Sequence, residues 1–342
     1  MLTLSSRLTM AFALFVSVSP TAAQYPLAPS PVLPLALFSP EPRFSGYVSA
    51  RETVRDDSAT FILNRARLTM HVLAVRFAAV RVQVDFAGIA GTSGDTVPGT
   101  VLTDAFVELV LPDTSSVAAR LLRPALVIGQ FRTPFSLEYL TPFSRLTTVN
   151  RSQAVDRLST RRDLGALAQL RFARFATLTG AAVNGEGPNR TRNPDGKQMA
   201  VGRLTVFPVP SVAVSGKWLG QGGDHRWGYD GRWLVRDLLV EGEAINRSGP
   251  ADAAGKFDGS GGYMLVAYRI LPWLQPVVKW ERLHETTTIA SGSTERELTW
   301  ATYGINFSDV EGRLRLQVDW IAKSEEPIRA SDELVVQLQA VF

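Results

Sequence analysis

The chain has no cysteine, only three histidines and almost no net charge. Without cysteine there can be no disulfide framework, no thiolate-bound zinc or iron–sulfur centre and no thiol nucleophile. His71, His225 and His284 are scattered, and none belongs to an HExxH pattern, so no metal or other cofactor is expected. Beyond the first residues there is no run of 18 apolar residues, which excludes a helical membrane span. The formal charge of +4, from 36 Lys and Arg against 32 Asp and Glu in 342 residues, is too thin for a nucleic-acid binder unless it is concentrated. What is present is 45% hydrophobic residues and a mean hydropathy of +0.04, too apolar for a disordered chain.

The N-terminus reads as an export signal. Arg7 precedes the apolar segment Met10–Val18, Pro20 breaks it, and Thr21-Ala22-Ala23 offers small residues for cleavage before Gln24. Residues 1–23 are therefore expected to be a signal peptide; their loss removes Arg7 and takes the charge from +4 to +3. Residues 24–42 are rich in proline and read as an extended lead-in.

From residue 43 to 342 the texture is uniform. Segments of about ten residues alternate in hydrophobicity between clusters of Gly, Asp, Asn, Ser and Pro. Leu314, Leu316, Val318, Trp320 and Ala322 fall on one face of a strand, and Arg313, Arg315, Gln317, Asp319 and Lys323 on the other. Sixteen candidate strands start near residues 43, 60, 74, 101, 121, 163, 174, 197, 210, 226, 237, 261, 273, 297, 312 and 332. An even set of such strands predicts an all-β fold, a transmembrane antiparallel barrel. Soluble sandwiches would need a polar outside. Here the apolar faces carry Trp218, Trp227, Tyr229, Trp233, Tyr268, Trp280, Trp320 and Phe342, as aromatic girdles would.

One connection differs from the rest. Residues 131–162 separate two strands, and a long ordered loop in a compact protein is usually functional. They contain Arg132, Arg145, Arg151, Arg157, Arg161 and Arg162 against Glu138 and Asp156. That net +4 exceeds the +3 of the chain without residues 1–23, so the remainder sums to −1. The loop is also apolar, with Phe131, Phe135, Leu137, Tyr139, Leu140, Phe143 and Leu146, which predicts packing against the barrel. An arginine-bearing loop inside a lumen would form an anion-selecting constriction.

The stretch Gly129–Glu138 (GQFRTPFSLE), with the arginine-rich run to Arg161–Gly165 (RRDLG), resembles the phosphate-selective porin O and P family. So do Arg65-Ala66-Arg67, Asn184–Asn189 (NGEGPN), Asn193–Lys197 (NPDGK), Gly202-Arg203 and the final Phe342. The resemblance implies a sixteen-stranded outer-membrane barrel in lipid, usually a homotrimer, with its third extracellular loop folded inward. It implies passive passage of phosphate or other small anions. The long loop has no lysine, whereas the best phosphate-selective members of the family place lysines at the constriction.

Alternation assigns Arg65, Arg67, Arg81, Arg171, Arg203, Arg232, Arg236, Arg269, Lys279, Arg313 and Arg315 to the lumen. It also places there Asp85, Glu108, Glu241, Glu243, Glu281, Asp319 and Glu333, enough to pair much of the basic ladder. The glycine-rich Asp258–Gly262 (DGSGG) and Gly220–Asp224 (GQGGD) read as hairpin loops. Two other functions fit such a barrel: a lipid hydrolase, which needs a Ser–His pair, and a structural barrel without an open pore.

Overall fold

The computed structural model describes residues 27–33, 39–87, 102–110, 122–251 and 255–342. The expected signal peptide lies outside the described residues. Sixteen strands follow one another: β1 Arg43–Arg55, β2 Ser58–Val75, β3 Ala78–Asp85, β4 Leu102–Val110, β5 Ala125–Arg132, β6 Arg162–Phe172, β7 Ala176–Val183 and β8 Met199–Val209. The second half continues with β9 Val212–Gln221, β10 Asp224–Val235, β11 Leu238–Ala251, β12 Gly255–Tyr268, β13 Leu274–Ile289, β14 Gly292–Ser308, β15 Leu314–Glu326 and β16 Glu333–Val341. Each pairs antiparallel with its neighbours, and β1 pairs with β16, so the sheet closes as a barrel.

Closure leaves no free edge strand. The alternation of side chains then sorts the faces. Trp218, Trp227, Tyr229, Trp233, Tyr268, Trp280, Trp320 and Phe342 all point outward and are exposed. Trp218 sits opposite Trp227 across β9 and β10, and Tyr303 stacks on Trp320 across β14 and β15 with ring centroids 5.6 Å apart. The opposite face carries most of the buried charge, including Arg65, Arg203, Lys217, Arg232, Lys279, Glu243 and Asp319.

The two rims differ. The start of β1 and the end of β16 share one rim with the turns at residues 173–175, 210–211, 236–237 and 309–313. On the opposite rim, the connection between β5 and β6 turns inward. It holds two short helices, α1 (Leu137–Leu140) and α2 (Gln153–Leu158), and a single 3₁₀ turn at Phe143–Arg145. α2 packs against β11, β12 and β13 from inside.

Three local expectations need correction. Asp258–Gly262 is no hairpin loop; it lies within β12. Gly259 and Gly261 face the lumen, where an added Cβ would come 2.7 Å from Leu158 and 2.9 Å from Ala154 of α2. These glycines let a helix lie directly on the wall, the close backbone approach that glycine in a strand often marks. Arg236 and Arg313 are not wall residues. Arg236 occupies a hairpin turn with φ of 50°, and Arg313 is exposed in the turn before β15, ion-paired with Glu311. In both places the chain reverses before the alternation reaches them.

Candidate functional site: the lumen loop and its cavities

The loop is pinched at its base, where the Thr133 amide donates to the Arg161 carbonyl (3.0 Å) and the Thr133 and Thr160 hydroxyls meet at 2.6 Å. Phe131, Phe135, Leu137 and Leu158 are almost completely buried, each worth about 1.5–3 kcal/mol of apolar burial. Carboxylates of the wall then hold the loop backbone. Glu243 Oε2 accepts from the Ser136 hydroxyl (2.9 Å) and the Glu138 amide (3.1 Å) at the start of α1. Asp319 accepts from the Val149 amide (2.7 Å), and Glu281 from the Gln153 amide (2.8 Å) at the start of α2. Glu285 pairs with Arg157 at 2.7 Å. Amides at the first turn of a short helix lack intrahelical partners, so anionic acceptors suit them.

Wall cations and amides take the loop carbonyls. Arg203 donates to Phe135 O (2.8 Å), Lys279 to Asn150 O (2.9 Å) and Asn306 to Thr147 O (2.8 Å). Within the loop, the Glu138 carboxylate accepts from the Ser152 amide at 2.8 Å and lies 3.8 Å from Lys279. Burial pushes its carboxyl up to about 8, against the opposing pull of Lys279 and the Ser152 amide.

The six arginines expected at a constriction divide. Arg157 and Arg162 are ion-paired, with Glu285 and Asp104. Arg151 is a brace: it donates to Glu138 O and Thr141 O and lies over the rings of Tyr139 (4.3 Å) and Phe143 (3.8 Å). Arg132 donates to Leu140 O at 2.8 Å. Arg161 is half-buried at the loop base. Arg145 is exposed at the 3₁₀ turn and has no side-chain partner among the described residues.

The wall arginines divide similarly. Arg67 pairs with Asp85 at 2.7 Å, directly opposite in register, and Arg65 reaches the same carboxylate at 3.8 Å. Both also face the Phe143 ring, at 5.5 and 4.4 Å. Arg81 pairs with Asp104, Arg232 with Glu241, and Arg203 makes two bonds to Asp230 at 2.6 and 2.8 Å. Arg171 is half-buried, with no side-chain partner among the described residues, and Arg315 is buried. Sequence reasoning missed Lys217, which is buried between Asp230 (3.2 Å) and Glu243. Its alternation with Ala213, Ser215 and Leu219, all facing inward, would have found it.

Among the described residues, two cavities stand out on the termini side of the loop. One, of about 260 Å³, is bounded by Arg171, Arg174, Arg203, Pro134 and Leu140, with Ser30 and Pro31 of the lead-in. The other, of about 300 Å³, is bounded by Arg145, Arg269, Arg313, Arg315, Gln275 and Asn306. Seven arginines line the two cavities. Among the described residues Glu311 is the one acid in either lining, and Arg313 holds it at 2.7 Å.

Two of the three histidines are engaged elsewhere. His71 Nε2 lies 2.7 Å from Arg81 Nη1, so a guanidinium engages that ring nitrogen. His284 lies 3.3 Å from Glu295 near the rim opposite the termini.

No family model and no curated protein sequence matches the chain. Solved structures do match. A loop-deletion form of OmpT, an outer membrane protein of Vibrio cholerae, aligns with 88% of this chain and 99% of its own at a TM-score of 0.62 and 10% identity. The outer membrane channel DcaP of Acinetobacter baumannii aligns at 0.60 and 11%, and Salmonella typhi OmpF in complex with daunomycin at 0.60 and 8%. Each covers 88% of this chain and 97% of its own. The fold is that of the porin-type outer-membrane barrel.

Proposed function

We propose that the protein is an outer-membrane porin that passes small anions by passive diffusion, with phosphate among them. One observation carries this reading. The loop inside the barrel leaves two cavities lined by seven arginines, of which Arg203 and Arg313 are ion-paired, and by a single acid among the described residues. Basic residues lining a narrow pore favour anions, and guanidinium forks suit oxyanions. Elsewhere the lumen cations are mostly matched by carboxylates, so the preference is for anions as a class. The short turns on the rim of the termini fit a periplasmic side and the inward loop an extracellular origin. Residues 1–23 would be cleaved on export, and the homotrimer implied by the family resemblance would be the assembled form.

Planar-bilayer recording tests the proposal. The reversal potential across a potassium chloride gradient should have the sign of an anion-preferring pore, and phosphate added to one side should carry current. A cation-preferring or non-conducting protein would overturn it.

A further inference from the structure

Residues 27–33 lie inside the barrel, beneath the loop on the termini side. Val32 is buried and belongs to the same apolar cluster as Phe106, Val127 and Leu167 of the inner wall. The Leu33 amide donates to Glu108 Oε2 at 3.1 Å. The Ser30 hydroxyl accepts from Gln169 Nε2 at 2.8 Å and from the Val32 amide at 3.1 Å. At Ser39 the chain is back at the wall, where its carbonyl accepts from the Leu73 amide at 2.7 Å. The segment therefore runs between β4 and β6, over the cavity that holds Arg171 and Arg203.

Its composition suits this course. A chain crossing a lumen without a sheet partner must satisfy its own amides. Pro29 and Pro31 have none to satisfy, and the Val32 and Leu33 amides are met by Ser30 and Glu108. Its hold is also light. The loop is tied by Glu243, Asp319, Glu281 and Glu285, whereas the segment has two side-chain anchors, with Pro29 and Val32 buried and Leu33 packed beside them. Glu108 is fully buried, and its second oxygen, Oε1, has no hydrogen-bond partner, so release of the segment would let water reach it.

We propose that residues 27–33 are a retractable strap that narrows the termini-side mouth and covers the cavity of Arg171 and Arg203. This goes beyond the anion-porin reading and rests on it only in requiring a pore. Two variants of the full-length protein test it. Excising residues 27–33 should raise single-channel conductance about twofold or more, since conductance follows pore width. In Ser30→Cys with Gln169→Cys, a short bifunctional thiol reagent should join the pair, because the chain has no other cysteine. The joined protein should stay at or below the conductance of the unlinked one. A folded double variant that does not cross-link overturns the strap's position, whatever the protein conducts. Unchanged conductance on excision, in a protein that still prefers anions, overturns the strap alone. A cation-preferring wild type with the same rise on excision would overturn the anion reading and leave the strap standing.

Discussion

Arg203 and Arg145 are the same residue in the same lumen, and they differ in everything that decides a role. Arg203 is buried, forked onto Asp230, bonded to Ser215 and fastened to the loop at Phe135 O. Arg145 stands exposed at the 3₁₀ turn, beside a cavity, with no side-chain partner among the described residues. A buried, paired guanidinium is structure: its charge is cancelled and its removal strands an acid. An exposed, unmatched guanidinium is field: its charge reaches whatever passes. The basic excess of residues 131–162 is therefore not one constriction of equal arginines. It is a braced loop carrying one arginine, Arg145, that is unmatched among the described residues, on its termini side.

The strongest test of this division is Arg203→Ala. It leaves Asp230 buried with Lys217 alone and should cost about 3–5 kcal/mol, read as a lower urea midpoint of the detergent-folded barrel. An unchanged midpoint would erase the distinction. Next comes Gly261→Val, whose side chain would collide with Ala154 and with the Arg282 carbonyl. It should cost about 1–3 kcal/mol and push α2 off the wall, changing single-channel conductance without altering the sign of selectivity. Arg145→Ala should leave stability within about 0.5 kcal/mol, yet lower anion preference in reversal-potential measurements. If it destabilises as Arg203→Ala does, the contrast fails.

The smallest effect is a pH dependence from Glu138. Its folded pKa of about 8 lies above the ordinary carboxylate value near 4.3. The docked loop thus gains from the neutral form; that contribution is complete below about pH 4.3 and is lost as pH rises through about 8. Loop protection from protease should weaken across that window, and Glu138→Gln should flatten the profile.

Much of the architecture was legible because strand alternation is a local property. The start of every described strand falls within six residues of its expected position, and the inward loop was marked by length, charge and aromatic content together. What was not legible depends on partners distant in sequence. Arg203 meets Asp230 from a strand two places away, a choice set by barrel register. The glycines of Asp258–Gly262 look like a turn until a helix is known to press on them. Arg236 and Arg313 alternate correctly up to the residue where the chain reverses.

The seam between β1 and β16 has a consequence for assembly. Tyr47 pairs with Val341, and Gly46 exchanges two backbone bonds of 2.9 Å with Phe342. Nearly the whole chain must be in place before these contacts form, so their loop-closure cost is met late and folding should be slow. The inward loop bonds both to Arg51 of β1 and to Gln339 of β16. Filling the lumen and closing its wall are therefore coupled steps: a barrel that shuts first would have to admit the loop through its open rim.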